Sequence, residues 1–387
     1  MAFRFLQVSD VHLGSRVNLR WLSQTQRDAV AECVSASFRA AMTLAREHEV
    51  HAVLIPGDLF DDDAVAPRHV SWAVSCFRSI APIPVFIAPG NHDPCWPGSP
   101  YHAGWAERYP EMAWPDNVHI FTQPHFETFT SPGGEFCITG IAHTRAGTMS
   151  ERLIAGDIPR ADAAARVLLF HGSREFEGAP GKEKTLPFTD AELERQGFDW
   201  AAIGHYHAAA LIENAKGEVI GGYSGCPQGR GLDECGEGVA LVGTLDDGRV
   251  EIERVPVSAR RFWSLEVPVD GRGLPEVMEA VEAAASEAAG EDLVHVKLTG
   301  RAPRELDFTL PQGFLSRLFA FHCDRSALVP DYDLDALAAS DGLPGRFVRR
   351  IREMSAADPA QAGLCEAALL MGLDAIHDRT VSFPDEN

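Results

Sequence analysis

At 387 residues, 45% hydrophobic and 23% charged, the chain is long enough for two globular domains and too apolar to be disordered throughout. Its net charge of −22 excludes a broadly basic nucleic-acid surface: residues 261–387 carry 12 Lys and Arg against 22 Asp and Glu, a net of −10 that leaves −12 for residues 1–260. The eight cysteines form no close pair and no C-x-x-C, which argues against a zinc ribbon or a secreted disulfide framework and for a reducing, cytoplasmic compartment.

Residues 3–9 read as a first β-strand, cut off by Asp10, and not as a signal peptide. No run approaches the roughly 18 apolar residues of a membrane span, so no membrane association is expected. Val30, Val34, Phe38, Met42 and Leu44 recur at helical spacing and predict a helix over about 23–48. The apolar run 51–55 is a buried strand. Pro67 suits the start of a second helix over about 67–80, and residues 84–88 form a third strand. Strand, helix, strand, helix, strand at this spacing implies parallel βαβ units. Residues 94–135, rich in Pro, Trp and His, read as a long loop with little regular structure. Strands then dominate, at 136–141, 166–171, 200–204, 218–223, 238–244 and 249–255, with 173–198 as a surface excursion. After about 258 a strand, an Ala/Glu-rich helix, a strand and two more helices read as a small α+β unit. The expected domains are therefore 1–257 and 258–387.

The polar residues fall where ligands of α/β sheets belong, just beyond the carboxyl ends of strands. Asp10 and His12 follow the first strand, Asp58 the second, Asn91, His92 and Asp93 the third. His171, His205 and His207 follow two later strands. A lone Asp or His at a strand end is ordinarily a cap or loop residue. Five strand ends offering Asp, His or Asn and almost no other polar type are not. An unpaired carboxylate such as Asp58 is costly to desolvate unless a cation sits against it, so Asp58 is read as a bridge between two divalent metal ions. Mixed oxygen and imidazole donors suit manganese, iron or zinc, whereas magnesium prefers oxygen and water.

Asp-x-His (10, 12), Gly-Asp (57, 58), Gly-Asn-His-Asp (90–93), His171 and Gly-His-x-His (204–207), in that order, resemble the signature of the calcineurin-like metallophosphoesterases. The resemblance implies an α/β fold, a four-layer αββα sandwich, here with a small C-terminal α+β capping domain. It implies two divalent metals, Mn2+ foremost with Fe or Zn as alternatives. Asp10, His12, Asp58 and His207 would hold one ion, and Asp58, Asn91, His171 and His205 the other. The fuller motifs, Ser9–Gly14, Gly57–Asp61 and Gly90–Asp93, with Tyr223–Arg230 and Gly236–Gly238, are similar to SbcD-type DNA-repair nucleases. Residues 294–301 look like the capping domain of the YhaO-like branch. That likeness implies DNA as substrate, an SbcC-like SMC-type ATPase as partner and a homodimer. Two positions depart from the pattern. Cys226 stands where a non-thiol residue is expected, and Asp61-Asp62-Asp63 stands where eukaryotic relatives carry a histidine.

By the same resemblance His92 is the one motif histidine that the family does not use as a ligand. It is assigned to stabilising the transition state or protonating the leaving oxygen, with Asp93 orienting its ring. His143, Arg145 and Arg230 are secondary candidates for phosphate contact, with a plain loop role as the alternative for the first two. Trp96, Tyr101 and Trp105 either stack on bases or pin their loop to the core. Arg346, Arg349, Arg350 and Arg352 form the one concentrated basic face of the second domain, to meet a phosphate backbone or an acidic partner, or simply water. The expected function is a two-metal phosphodiesterase acting as a DNA exonuclease or endonuclease in repair. Its rivals are a small-molecule phosphoesterase, acting on a cyclic nucleotide or phosphomonoester, and a non-catalytic scaffold that uses metals only to fold. The acidic charge favours the small substrate, the subfamily motifs favour DNA, and the spare His92 argues against a scaffold.

Overall fold

The structure, a computed structural model, describes residues 2–61, 65–145, 149–175, 184–302 and 310–376. Asp62 and Asp63, and the Gly178–Lys182 part of the expected surface excursion, lie outside the described residues. The chain divides into two compact units, one of residues 1–263, 288–294 and 318–320, the other of 264–287, 295–317 and 321–387.

Twelve strands of the first unit, numbered in chain order, make two six-stranded sheets. β1 (Phe3–Gln7), β2 (Ala52–Ile55), β3 (Val85–Ile87) and β4 (Val118–Ile120) run parallel. β11 (Val239–Asp246) adds to β1 antiparallel, and β12 (Arg249–Pro256) closes that edge. The second sheet has the order β5 (Glu127–Thr130), β6 (Phe136–Gly140), β7 (Ala165–His171), β8 (Trp200–Gly204), β10 (Val219–Tyr223), β9 (Ala210–Glu213). Its central four strands are parallel.

The two sheets face each other across a dry core. Phe3, Phe5, Leu54 and Phe86 from one meet Ile138, Val167, Leu169, Trp200 and Ala202 from the other. One buried polar side chain bolts them together. Gln7 of β1 donates from Nε2 to the carbonyls of Ile203 (3.3 Å) and Gly222 (2.8 Å), and its Oε1 accepts from Trp200 Nε1 at 2.9 Å. Every hydrogen-bonding group of the amide except one lone pair is therefore matched, as a fully buried glutamine requires.

The outer layer on the first sheet is helical. α1 (Gln24–Glu47) starts at Ser23, which accepts from the Gln26 amide while Gln26 Oε1 accepts from the Ser23 amide, a reciprocal cap worth about 1 kcal/mol. It buries Val30, Val34, Phe38, Ala41, Met42 and Ala45 along one face. α2 (Pro67–Ile80) opens on Pro67 and buries Val70, Val74, Phe77 and Ile80 against the same sheet. Each of the larger side chains contributes roughly 1.5–3 kcal/mol by leaving water. Helix, sheet, sheet and an outer cover over β7 and β8 give the four layers.

Two sequence expectations are corrected here. The stretch 94–135 is not one long loop: it holds α3 (Ala103–Arg108) and the edge strands β4 and β5, too short for a periodicity to register. The 173–198 excursion is not all surface either. Leu186, Phe188 and Leu193 are buried against Phe170 and Ile203, and α4 (Asp190–Gln196) starts on a Thr189–Glu192 capping box.

Largely in the second unit, β13 (Phe262–Pro268), β14 (Leu293–Ala302), β15 (Ala320–Asp324) and β16 (Leu328–Pro330) belong to a four-stranded sheet, with α5 (Leu274–Ala284) and α6 (Gln312–Leu315) between strands; the first residues of β13, β14 and β15 are counted with the first unit. α7 (Leu334–Ala339), α8 (Leu343–Ala357) and α9 (Ala362–Ile376) pack around Val348, Leu369 and Leu373. The arginines of α8 are mostly engaged at home. Arg349 donates to the carbonyls of Ala338 and Ser340, Arg350 pairs with Glu353 at 3.3 Å, and Arg352 with Asp335 at 2.8 Å.

Candidate metal centre

The parallel strands deliver their polar ends to one place. Beyond β1 the backbone turns sharply, and Asp10 (φ 51°) and His12 (φ 52°) adopt the left-handed region; Asp58 (φ 51°) after β2 and His205 (φ 115°) after β8 do so as well. Non-glycine residues rarely tolerate this, and holding them there costs of order 1 kcal/mol or more each. Ladder bonds between the loops hold the turns: the Asp10 amide donates to Gly57 O at 3.2 Å and the His12 amide to Asp58 O at 3.0 Å. The loops are close enough to require glycine. A Cβ on Gly57 (φ +87°) would lie 2.6 Å from His171 Nδ1, and one on Gly90 would collide with Asp58 Oδ1.

Asp58 Oδ2 is the focus. It lies 3.7 Å from His12 Nε2 and 3.4 Å from His171 Nε2, while Asp58 Oδ1 accepts from the His92 amide at 3.1 Å. Ligating atoms of Asp10, His12 and His207 fall within 4.8 Å of one another, as do those of Asp10, Asp58 and His171. Asp10 accepts from Ser9 Oγ (2.6 Å) and from the His205 amide (3.0 Å).

The donors fit cations better than they fit each other. His171 Nδ1 is 3.0 Å from the Pro56 carbonyl, which can only accept, so the proton sits on Nδ1 and Nε2 carries a lone pair. That lone pair faces Asn91 Oδ1, another acceptor, at 3.0 Å. Two acceptors so placed are arranged as ligands of one ion, not as a hydrogen bond. His12 Nε2 is buried and has no hydrogen-bond partner. Burial holds the imidazoles of His12 and His171 well below their ordinary pKa, so both are neutral, the form that ligates. Burial, then the neighbouring Asp93 and Asp10 carboxylates, push Asp58 well above the usual range, a cost that divalent cations offset.

A shell of charged residues surrounds this cluster. Glu234 Oε1 is 2.7 Å from His207 Nδ1 and is also gripped by Arg230, which reaches across to Asp61 Oδ1 at 3.3 Å. Burial works to raise Glu234, but the hydrogen bonds from His207 and Arg230 outweigh it and hold the carboxyl well below its usual range. Glu234 escaped the sequence reading. Its signal was there, as an Arg and a Glu four residues apart within a Gly-rich segment.

A family model described as calcineurin-like phosphoesterase matches residues 3–209, which take in β1 to β8 and every strand end just described. The chain is a calcineurin-like phosphoesterase. The residues grouped at its strand ends are candidate ligands for metal ions. Among curated proteins it is 28% identical to the uncharacterized metallophosphoesterase YhaO of Bacillus subtilis over 239 residues, 60% of this chain and 55% of YhaO. It is 26% identical over 328 residues to the DNA double-strand break repair protein Mre11 of Aeropyrum pernix, covering 78% of this chain and 74% of that one. The chain thus spans little more than half the length of YhaO. Among solved structures, a purple acid phosphatase from yellow lupin seeds covers 66% of the chain at 15% identity, with a TM-score of 0.38.

Other residues of this phosphoesterase fall differently from expectation. Asp93 does not orient the His92 ring. Both its oxygens are taken, Oδ1 by the amides of Asp58 (3.1 Å) and Gly90 (2.8 Å), Oδ2 by those of Leu59 (2.8 Å) and Phe60 (3.1 Å) and by Tyr101 Oη (2.6 Å). His92 is exposed, with Nδ1 3.4 Å from the Asp61 carbonyl and its ring edge-on to His12. His143 is buried behind His171, its Nε2 3.0 Å from the His171 carbonyl, so it supports a strand end and has no open face for a phosphate. Arg145 is exposed and lies 3.5 Å from Glu151. Tyr101 and Trp105 are buried in the core, Tyr101 stacked on Trp114, and of the three loop aromatics only Trp96 is exposed. Cys226 is buried, its amide donating to the His207 carbonyl at 2.9 Å, and burial pushes its thiol far up, so it packs as a small apolar group. No helix among the described residues is long and apolar enough to cross a membrane.

Proposed function

We propose that the chain is a two-metal phosphodiesterase that cleaves DNA, in a cytoplasmic repair role alongside an SbcC-like ATPase and as a homodimer. The observation that carries the metal reading is the convergence of His12 Nε2, His171 Nε2 and Asn91 Oδ1 around Asp58, with acceptor facing acceptor. Asp10, His12, Asp58 and His207 would hold one ion, and Asp58, Asn91, His171 and His205 the other. Such a pair lowers the pKa of a water and polarises the phosphoryl oxygens. The protein's own groups do the rest. Asp58 would face both ions, Asn91, His12 and His171 present neutral donors, and the backbone amide of His92 pins the Asp58 carboxylate. His92 is the proton donor. With Nδ1 turned to the Asp61 carbonyl, Nε2 is the atom left to meet the leaving oxygen. DNA as substrate is favoured by relatives named as DNA double-strand break repair proteins. Eight free cysteines, six of them buried, suit a reducing compartment. The net charge of −22 favours the second reading, a small phosphodiester, because a polyanion is repelled at long range.

One experiment separates the readings. Purified protein with Mn2+ is given linear DNA in one reaction and bis-p-nitrophenyl phosphate in another. Degradation of DNA that Asp58→Asn abolishes supports the nuclease, and cleavage of the small ester alone supports the second reading. With neither cleaved, the two-metal hydrolase reading fails for the isolated chain.

A further inference from the structure

His12 and His207 are braced differently from His171. On one side stand His12 and His207, and each Nδ1 faces a carboxylate: Asp61 Oδ1 at 3.1 Å, as an electrostatic contact and not a straight hydrogen bond, and Glu234 Oε1 at 2.7 Å. A single guanidinium ties those carboxylates together. Arg230 Nη1 is 3.3 Å from Asp61 Oδ1, while its Nε donates to Glu234 Oε2 at 3.0 Å and its Nη2 to Glu234 Oε1. The Arg230 amide also donates to Glu234 Oε2, at 2.7 Å. Nη2 lies 3.4 Å from His207 Nδ1 as well. On the other side His171 Nδ1 leans on the neutral carbonyl of Pro56, and the rings packed edge-on against it are those of two other histidines, His143 and His205.

We propose that Asp61, Arg230 and Glu234 form a clamp that strengthens one metal position selectively, the one served by His12 and His207, and that Arg230 is a positioning residue and not a phosphate ligand. The inference rests on the two-metal reading above. Its physics is that of a carboxylate behind a metal-bound imidazole, which fixes the ring and makes the ligating nitrogen a better donor. Two carboxylates and one guanidinium leave a net −1 behind His12 and His207, whereas only a neutral carbonyl backs His171. The guanidinium fork is already committed to two carboxylates and only 14% of the Arg230 side chain is exposed, which leaves little of it for a substrate oxygen. The i,i+4 placement of Arg230 and Glu234, and the position of Asp61 three residues beyond Asp58, let short local segments set the whole device.

The test is a Mn2+ titration of the chelator-stripped full chain by calorimetry and electron paramagnetic resonance, for wild type, Asp61→Asn, Glu234→Gln and Arg230→Gln. Wild type binds two equivalents with unequal affinity. In each variant one of the two steps weakens by roughly 10–100-fold, the magnitude typical of losing an outer partner of a metal ligand, while the other holds. The spin-coupled pair signal gives way to that of a single ion at the same metal concentration. Equal weakening of both steps, or no change in either, overturns the clamp. So does an Arg230→Gln protein with an unchanged isotherm and a raised KM for bis-p-nitrophenyl phosphate, which would make Arg230 a substrate ligand. Wild type binding fewer than two ions overturns the two-metal reading itself. Should Glu234→Gln unfold, Asp61→Asn decides, because that side chain is one-third exposed and its loss leaves the core intact.

Discussion

Asp93 is the residue whose assigned role the structure changes most, and Asp93→Ala tests the new one. Its carboxylate accepts from four backbone amides, at residues 58, 59, 60 and 90, and from the Tyr101 hydroxyl. It therefore holds the turn that carries Asp58 against the turn that carries Asn91. Alanine leaves five buried donors without an acceptor, at about 1–3 kcal/mol each. Against that stands the relief of no longer burying a carboxylate. Burial pushes the Asp93 pKa up from the ordinary 3.8 to about 6, in spite of the hydrogen bonds that lower it, and that shift corresponds to roughly 3 kcal/mol at pH 7. Taking about 2 kcal/mol per orphaned donor, the net loss is about 7 kcal/mol, which lowers Tm by roughly 15 °C for a unit of this size. Because the folded pKa is raised, Asp93 in the metal-free protein favours folding below pH 3.8 and loses that contribution as pH rises through about 6. The metal-free melting curve of Asp93→Ala should therefore lack that component. The assays are thermal melts with chelator and with Mn2+, metal content, and turnover of bis-p-nitrophenyl phosphate. A variant with wild-type Tm and metal content but lowered turnover would refute the reasoning and return Asp93 to the His92 ring.

Three further outcomes are expected. His92→Ala keeps two metals per chain by elemental analysis and loses at least tenfold in turnover, since its exposed ring is assigned to the leaving oxygen and to neither ion; unchanged turnover rules out the proton-donor role. Gly90→Ala drives a methyl group into Asp58 Oδ1 and within 2.7 Å of the Asp58 amide, so metal content falls even if the protein folds; a variant retaining both ions contradicts the packing described. His143, whose burial pushes its imidazole down to about 4, stays neutral in the fold while the unfolded chain titrates near 6.5. Stability is thus lost as pH falls from 6.5 toward 4, by about 2 kcal/mol at pH 5. His143→Gln should flatten the drop in Tm between pH 7 and 5, and an identical drop in both proteins dismisses the mechanism.

The sequence showed the parts that follow from periodicity and from residue type at strand ends. The helices at 24–47 and 67–80 and the parallel strands at 52–55 and 85–87 were legible because a buried strand is a short apolar run and an amphipathic helix repeats every 3.6 residues. The placing of Asp10, Asp58, Asn91 and His171 at one focus followed from the same logic, since parallel strands present their carboxyl ends to one edge. The edge strands β4, β5 and β9 were not legible. Each has three or four residues, half buried, and such a window holds no alternation to count. The supporting shell was hidden for a different reason. Asp93 sits beside His92 in sequence, yet its hydrogen bonds run to residues 33 to 35 positions earlier and to Tyr101, and adjacency suggested the wrong partner. Glu234 becomes meaningful only once the loop beyond β10 folds back beneath His207, 27 residues away.

The charge of the centre ties these observations together. Asp10, Asp58, Asp61, Asp93 and Glu234 are five carboxylates against one guanidinium, that of Arg230, which leaves −4 when all are ionised. Two divalent cations bring that to zero. The buried carboxylates Asp10 and Asp58 resist ionisation by desolvation, and the histidines beside them resist protonation for the same reason, so the protein alone lowers this charge only by protonating its acids. Divalent ions at Asp58 allow the acids to ionise and the imidazoles to stay neutral. The overall charge of −22 is then not the charge a substrate meets at the metals. With two such ions bound, a phosphodiester would be repelled by the chain at long range, where salt screens beyond about 10 Å, and would meet a locally neutral centre. Acidity of the whole chain and phosphate chemistry at the site are compatible because they act over different distances.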